Sequence, residues 1–159
     1  MRTEFDVKMT TGRMYEYMMR HTFTPFAGIM GECLGIVLII GSFAYRQWLW
    51  LVAGIILALY QPVALYYRAA RQVRSNEVFK NPLHYTLDDE GITVKSGDVT
   101  DSIPWKGMYK AVSTNHLIIL YTTRINAIIF PKDDLADRKT DVIAAISAHM
   151  DPKQVNIRP

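Results

Sequence analysis

Cysteine is almost missing from this 159-residue chain: Cys33 stands alone, so no intrachain disulfide can form. The four histidines, His21, His84, His116 and His149, never fall at metal-ligand spacing, and no cysteine accompanies them in the polar part of the chain. There is no GxSxG elbow, no P-loop and no dinucleotide fingerprint. Clustered basic charge is missing too. The formal net charge is +3, and from Arg68 onward 13 Lys and Arg stand against 11 Asp and Glu. Nucleic acid needs a concentrated basic face, so that balance argues against it. Asp88-Asp89-Glu90 and Asp133-Asp134 read as a solvated turn and a helix cap rather than as metal sites. The sequence therefore predicts no catalysis, no cofactor and no metal.

One long stretch also lacks charge. From Phe26 to Tyr67 only Glu32 and Arg46 are charged. Each half is about 20 residues, and at a rise of about 1.5 Å per residue each spans a hydrocarbon core of about 30 Å. The stretch reads as a transmembrane hairpin with helices at about 26–45 and 48–67. A cleaved signal peptide is the rival for the first helix. The long mixed segment before it and the lack of a small-x-small site after it speak against cleavage.

Small residues mark the hairpin's packing surface: Gly28, Gly31 and Gly35 on the first helix, Gly54 and Ala58 on the second. Gly31 and Gly35 form a GxxxG pair, which permits close helix approach. Packing within one chain and homo-oligomer formation both fit. Glu32 is the one charged residue within the helices, and an intramembrane acid is a functional candidate by default. Glu32 is either protonated or paired with Tyr60 or Gln61, which are expected at similar depth on the antiparallel helix. Pro62 frees the carbonyl of Ala58 and predicts a kink. Lys8, Arg13 and Arg20 precede the hairpin, Arg68, Arg71, Arg74 and Lys80 follow it, and Arg46 alone lies in the turn. The positive-inside rule then puts both termini in the cytoplasm. Tyr45, Trp48 and Trp50 serve as outer aromatic anchors, and Phe23, Phe26, Tyr66 and Tyr67 as inner ones.

Outside the hairpin the period changes. Phe5, Val7 and Met9 alternate with polar residues, the mark of a half-buried strand. A lone strand is not stable, so this one is expected to pair with the sheet that follows the hairpin. Met14, Tyr15, Met18, Met19 and Phe23 recur at helical spacing, which gives an N-terminal segment, 1–25, of one strand and one amphipathic helix. The second membrane helix runs on through a cytosolic extension, 68–82, which Asn81-Pro82 stops. In 83–150 come short strands at close spacing: LHYTL, ITVK, VTDSIPW, MYKAVST, LIILYT and INAIIF. They indicate an antiparallel barrel or sandwich. A last helix with Leu135, Val142, Ile143, Ile146 and Met150 on its apolar face covers one opening of the sheet, and 151–159 is a tail. The fold class is α+β.

Three segments, YTLDDEGITVKSGD, IPWKGMYKAVST and LIILYTTRINAIIFPKDDL, resemble the YcxB-like family of bacterial membrane proteins. The resemblance covers about residues 75–150. It implies a cytosolic domain similar to bacterial pleckstrin-homology domains and no catalytic signature. Some eukaryotic domains of that fold bind lipid headgroups with basic residues around the first loop. Here that loop is Asp88-Asp89-Glu90-Gly91, which repels phosphate.

Two readings of function follow. In the first, an inner-membrane protein presents this domain to a cytosolic or membrane protein partner, or to a second copy. In the second, glycine-mediated oligomers gather several Glu32 residues into a proton-responsive or transport-accessory assembly.

Overall fold

The computed structural model describes residues 2–24 and 26–157. The chain folds into two compact units. One holds the residues up to Arg13 together with those from Arg74 onward, and the other is Met14–Val73.

The second unit is helical. Helix α1 is Thr11–Phe23, α2 is Phe26–Tyr45 and α3 is Trp48–Ser75; the first three residues of α1 and the last two of α3 fall in the other unit. α2 and α3 are long and apolar enough to cross a membrane, at a mean hydropathy of 1.8 with only 11% of residues buried. Their large side chains point outward: Val37, Ile40, Phe43, Ile56 and Leu59 are all exposed. The side chain of Phe26 lies outside the described residues. α3 continues through Pro62 without a break. The turn between the helices is tight because α2 ends with Arg46 at φ 52°, and the Gln47 N–H donates back to the Ser42 carbonyl at 3.1 Å. That is the left-handed ending that usually calls for glycine.

The first unit is built of strands. β1 (Thr3–Val7), β2 (Leu83–Leu87), β3 (Gly91–Ser96) and β4 (Val99–Pro104) form an antiparallel sheet in sequence order. β5 (Lys110–Ser113), β6 (Leu117–Tyr121), β7 (Ala127–Pro131) and β8 (Val155–Asn156) form a second sheet in the order β7-β6-β5-β8. β8 runs parallel to β5 and the other pairs are antiparallel. The strands do not close into a barrel; they stay in two sheets of four.

Alternation drives the first sheet. Phe5 faces Tyr85 and Val7 faces Leu83 on the buried side, while Asp6 faces His84 on the wet side. The N-terminal strand thus completes a sheet whose other strands all lie beyond α3. Its aromatic contacts fix it further: Phe5 stacks on Tyr85 at 5.8 Å and meets the edge of Phe130 at 5.2 Å. β6 has no polar face, and all five of its residues are buried. Its apolar run therefore reads as a strand covered on both sides.

The last helix is broken. α4 is only Lys132–Leu135, a 3-10 turn follows at Ala136–Arg138, and α5 is Lys139–His149. The predicted apolar face is present, since Leu135, Val142, Ile146 and Met150 join the core and Ile143 packs at its margin. The predicted cap is not. α4 begins after Pro131 with no side-chain cap, and Asp133 and Asp134 sit in its first turn. The tail expected at 151–159 also carries the short strand β8, and its last two residues lie outside the described ones.

Candidate functional site

The small residues of the hairpin come together where α2 meets α3. A methyl group added at Gly35 would lie 3.1 Å from the Ala58 nitrogen and 3.1 Å from the Gly54 carbonyl oxygen. One added at Gly54 would lie 2.8 Å from the Gly35 carbonyl oxygen and 2.9 Å from the Ile39 nitrogen. Ile39 Cγ1 would also lie 2.8 Å from the methyl at Gly54, but the backbone contacts mean that moving a side chain alone cannot make room. Gly31 stands near Gln61, whose Oε1 would be 3.5 Å from an added Cβ. Gly28 does something different: it abuts the Thr22 carbonyl at the end of α1 rather than α3. Gly35, Gly54 and Ala58 are therefore occupied by packing within one chain.

Glu32 does not make the contact expected at Oε1. That oxygen is buried with no hydrogen-bond partner among the described residues, and Tyr60 is turned outward at 68% exposure. A buried polar atom without a partner costs about 1–3 kcal/mol, so Glu32 is the least satisfied group in the hairpin. Of the basic flank, Arg20, Arg68, Arg71 and Arg74 are all exposed. Arg68, Arg71 and Arg74 recur every third residue on α3.

In the strand-rich unit, acidic side chains are tied up locally. The Asp88 Oδ1 accepts the Glu90 and Gly91 N–H groups at 2.9 and 3.0 Å, which makes the acidic triplet a turn. Trp105 is buried, donates from Nε1 to the Asp88 carbonyl at 2.8 Å, and stacks on the His149 ring at 5.0 Å. His149 closes α5 with Nδ1 2.9 Å from the Ala145 carbonyl, and its Nε2 faces Asp89 at 3.6 Å. Across the first sheet, His84 Nδ1 meets Asp6 at 2.8 Å and Nε2 lies 3.9 Å from Glu4. Burial among Phe5, Phe130 and Leu87 pushes the Tyr85 phenol well above its usual range. Among the described residues no group of three His, Cys, Asp or Glu is placed to hold a metal ion.

Sequence reasoning missed one anchor. Arg13 makes two hydrogen bonds to Asp134, at 2.6 Å to Oδ2 and 2.8 Å to Oδ1, and a third to the Lys8 carbonyl at 2.6 Å. The Lys8 N–H donates to the same Asp134 Oδ2 at 3.1 Å. Both side chains are about four-fifths buried, at 22% and 20% exposure. This paired fork ties the start of α1 to α4, and it uses the carboxylate that sequence reading assigned to a helix cap. The signal was only a positive residue near a helix start, which ordinarily marks solvent.

A cleft of about 350 Å³ is lined by Arg2, Thr3, Glu4, Arg138 and Asp141. Its two guanidinium groups are offset by two carboxylates, and Arg2 already pairs with Glu4 at 2.6 Å, so it selects neither an anion nor a cation.

The remaining surface feature is β4. It is exposed at five of its six positions, with only Ile103 partly buried, and it forms the end of its sheet. No curated protein and no solved structure matches the chain. Residues 87–149, from the last residue of β2 to the end of α5, match the family model described as YcxB-like protein, the family that the sequence resembles.

Proposed function

We propose that this is an integral membrane protein. In this reading α2 and α3 form a transmembrane hairpin and the strand-rich unit is a pleckstrin-like, non-catalytic interaction domain at the cytoplasmic face of the bacterial inner membrane. The observation that carries the reading is the contrast between the two units. The strand-rich unit closes around its own core, whereas α2 and α3 carry their bulky apolar side chains outward with only 11% of residues buried. Exposed apolar surface on that scale needs a non-aqueous neighbour. The basic residues flanking the hairpin supply the orientation. Two sheets and α5 that share one core support the pleckstrin-like reading, as does the YcxB-like match.

The test is carbonate extraction of membranes together with crosslinking in intact cells. The chain is expected to stay in the membrane pellet and to crosslink to a protein through its strand-rich unit. Release into the supernatant, or crosslinks to lipid alone, would contradict the reading.

A second reading rests on Glu32, whose buried Oε1 has no partner among the described residues. An oligomer would gather several such carboxyls and could make them proton-responsive or transport-accessory. Glu32→Gln should then alter both the oligomeric state and its pH dependence in mild detergent. If neither changes, that reading fails.

A further inference from the structure

β4 is an edge strand, and the two-sheet unit treats it differently from its other edges. β7 is buried at four of five positions, β8 is two residues long, and β1 has α4 beside it through the Lys8 N–H and Asp134. Among the described residues only β4 offers an exposed edge strand of ordinary length.

Its backbone phase follows from one hydrogen bond. The Trp105 N–H donates to the Glu90 carbonyl at 3.3 Å, and the same register sets Gly91 opposite Pro104 and Ile92 opposite Ile103. Bonded and non-bonded pairs alternate along an antiparallel ladder. Val99, Asp101 and Ile103 therefore turn their amides toward β3, and Thr100 and Ser102 turn theirs outward. Pro104, which has no N–H, falls at an outward position, as a proline on an edge should.

The side chains alternate as well. Val99, Asp101 and Ile103 share the face of Ile92 and Val94, while Thr100 and Ser102 share the hydroxyl-rich face of Thr93 and Lys95. Val99 is 64% exposed, so the apolar, acidic, apolar row of β4 extends beyond the core. A charge on the core-side face of an edge strand discourages edge-to-edge pairing between copies. In a two-fold pair centred on Asp101 the two carboxylates would lie directly opposite, and like charges there are destabilising. Shifting the centre by one residue leaves them as diagonal neighbours on one face. A second copy is therefore disfavoured, and a strand carrying a cation is favoured.

We propose that β4 takes an extended segment of a partner protein as a fifth strand, and that Asp101 selects a Lys or Arg in that segment flanked two residues away by apolar side chains. Main-chain bonds to Thr100 and Ser102 supply affinity and the row of Val99, Asp101 and Ile103 supplies specificity, the division of labour of strand addition. The inference rests on the interaction-domain reading and deepens it.

The test uses the full chain in mild detergent and two fluorescent peptides, TVTKTVT and TVTETVT. Wild type is expected to prefer the lysine peptide by about three- to ten-fold. Asp101→Lys should reverse the preference. Ser102→Pro, which removes an outward N–H, should abolish binding of both, while Ser102→Ala keeps it; unchanged thermal melting confirms that both variants fold. Equal binding of the two peptides, or binding that survives Ser102→Pro, overturns the proposal. A photoreactive residue at Val99 or at Tyr109, in native membranes, separates this inference from the reading beneath it. Protein crosslinks from Val99 that Ser102→Pro removes support the β4 site. Crosslinks from Tyr109 alone overturn the β4 site and leave the interaction domain standing. Protein crosslinks from neither position overturn both.

Discussion

Gly54 has little room to change. An added methyl meets the Gly35 carbonyl and the Ile39 backbone, so Gly54→Val must push the helices apart. The expected loss is about 1–3 kcal/mol of hairpin stability, read as a lower unfolding temperature in detergent. Gly54 was legible because small residues four apart on both helices can only mean close approach. Strain is visible at Ala136, where φ is 44° and ψ −125°, a conformation that suits glycine. Ala136→Gly is expected to stabilise the strand-rich unit by about 1 kcal/mol in chemical denaturation; nothing in the sequence near Ala136 announces it. Tyr85 contributes to the alkaline pH dependence. Its folded pKa is raised by burial, above an unfolded value of about 10. Its contribution is thus fully present below pH 10 and lost as pH rises beyond it. Tyr85→Phe should flatten the alkaline fall in stability above pH 10, and an unchanged alkaline profile would refute that assignment.

Among the elements, β1 shows what patterning can reveal. Three apolar residues at alternate positions were enough to predict a strand that needs a distant sheet, and β1 pairs with β2 along its full length. Phe5→Ala removes a ring packed on Tyr85 and Phe130 and should cost about 3–5 kcal/mol of the strand-rich unit's stability. That loss would be felt in strands that follow the hairpin, although Phe5 precedes it. The Arg13–Asp134 fork was not legible, because its partners lie 121 residues apart and an Asp pair before a helix imitates a cap. In a double-mutant cycle, Arg13→Ala and Asp134→Ala should each destabilise, and together by less than their sum. β8 was missed for another reason: two residues cannot display a period. The break after Leu135 was missed because apolar spacing continues across it and hides the turn at Ala136.

At the scale of the whole molecule, hydropathy and the change of period from helical to alternating set out the order of the longer elements, from β1 through the hairpin to β7. What they could not give was sheet closure, since register and twist decide between a barrel and two separate sheets. The chain's plan is a strand-rich unit with an apolar helical hairpin inserted between its first two strands. That connectivity has a topological consequence. In the proposed membrane reading, the pairing of β1 with β2 requires the segments entering and leaving the hairpin to lie on the same side of the bilayer. Cysteine labelling in intact cells tests this most directly, with Cys33 replaced by Ala and single cysteines placed at Lys8, Gln47 and Lys153. Gln47→Cys is expected to react with a membrane-impermeant maleimide from outside, and Lys8→Cys and Lys153→Cys only after permeabilisation. Labelling of all three from the same side would contradict the account.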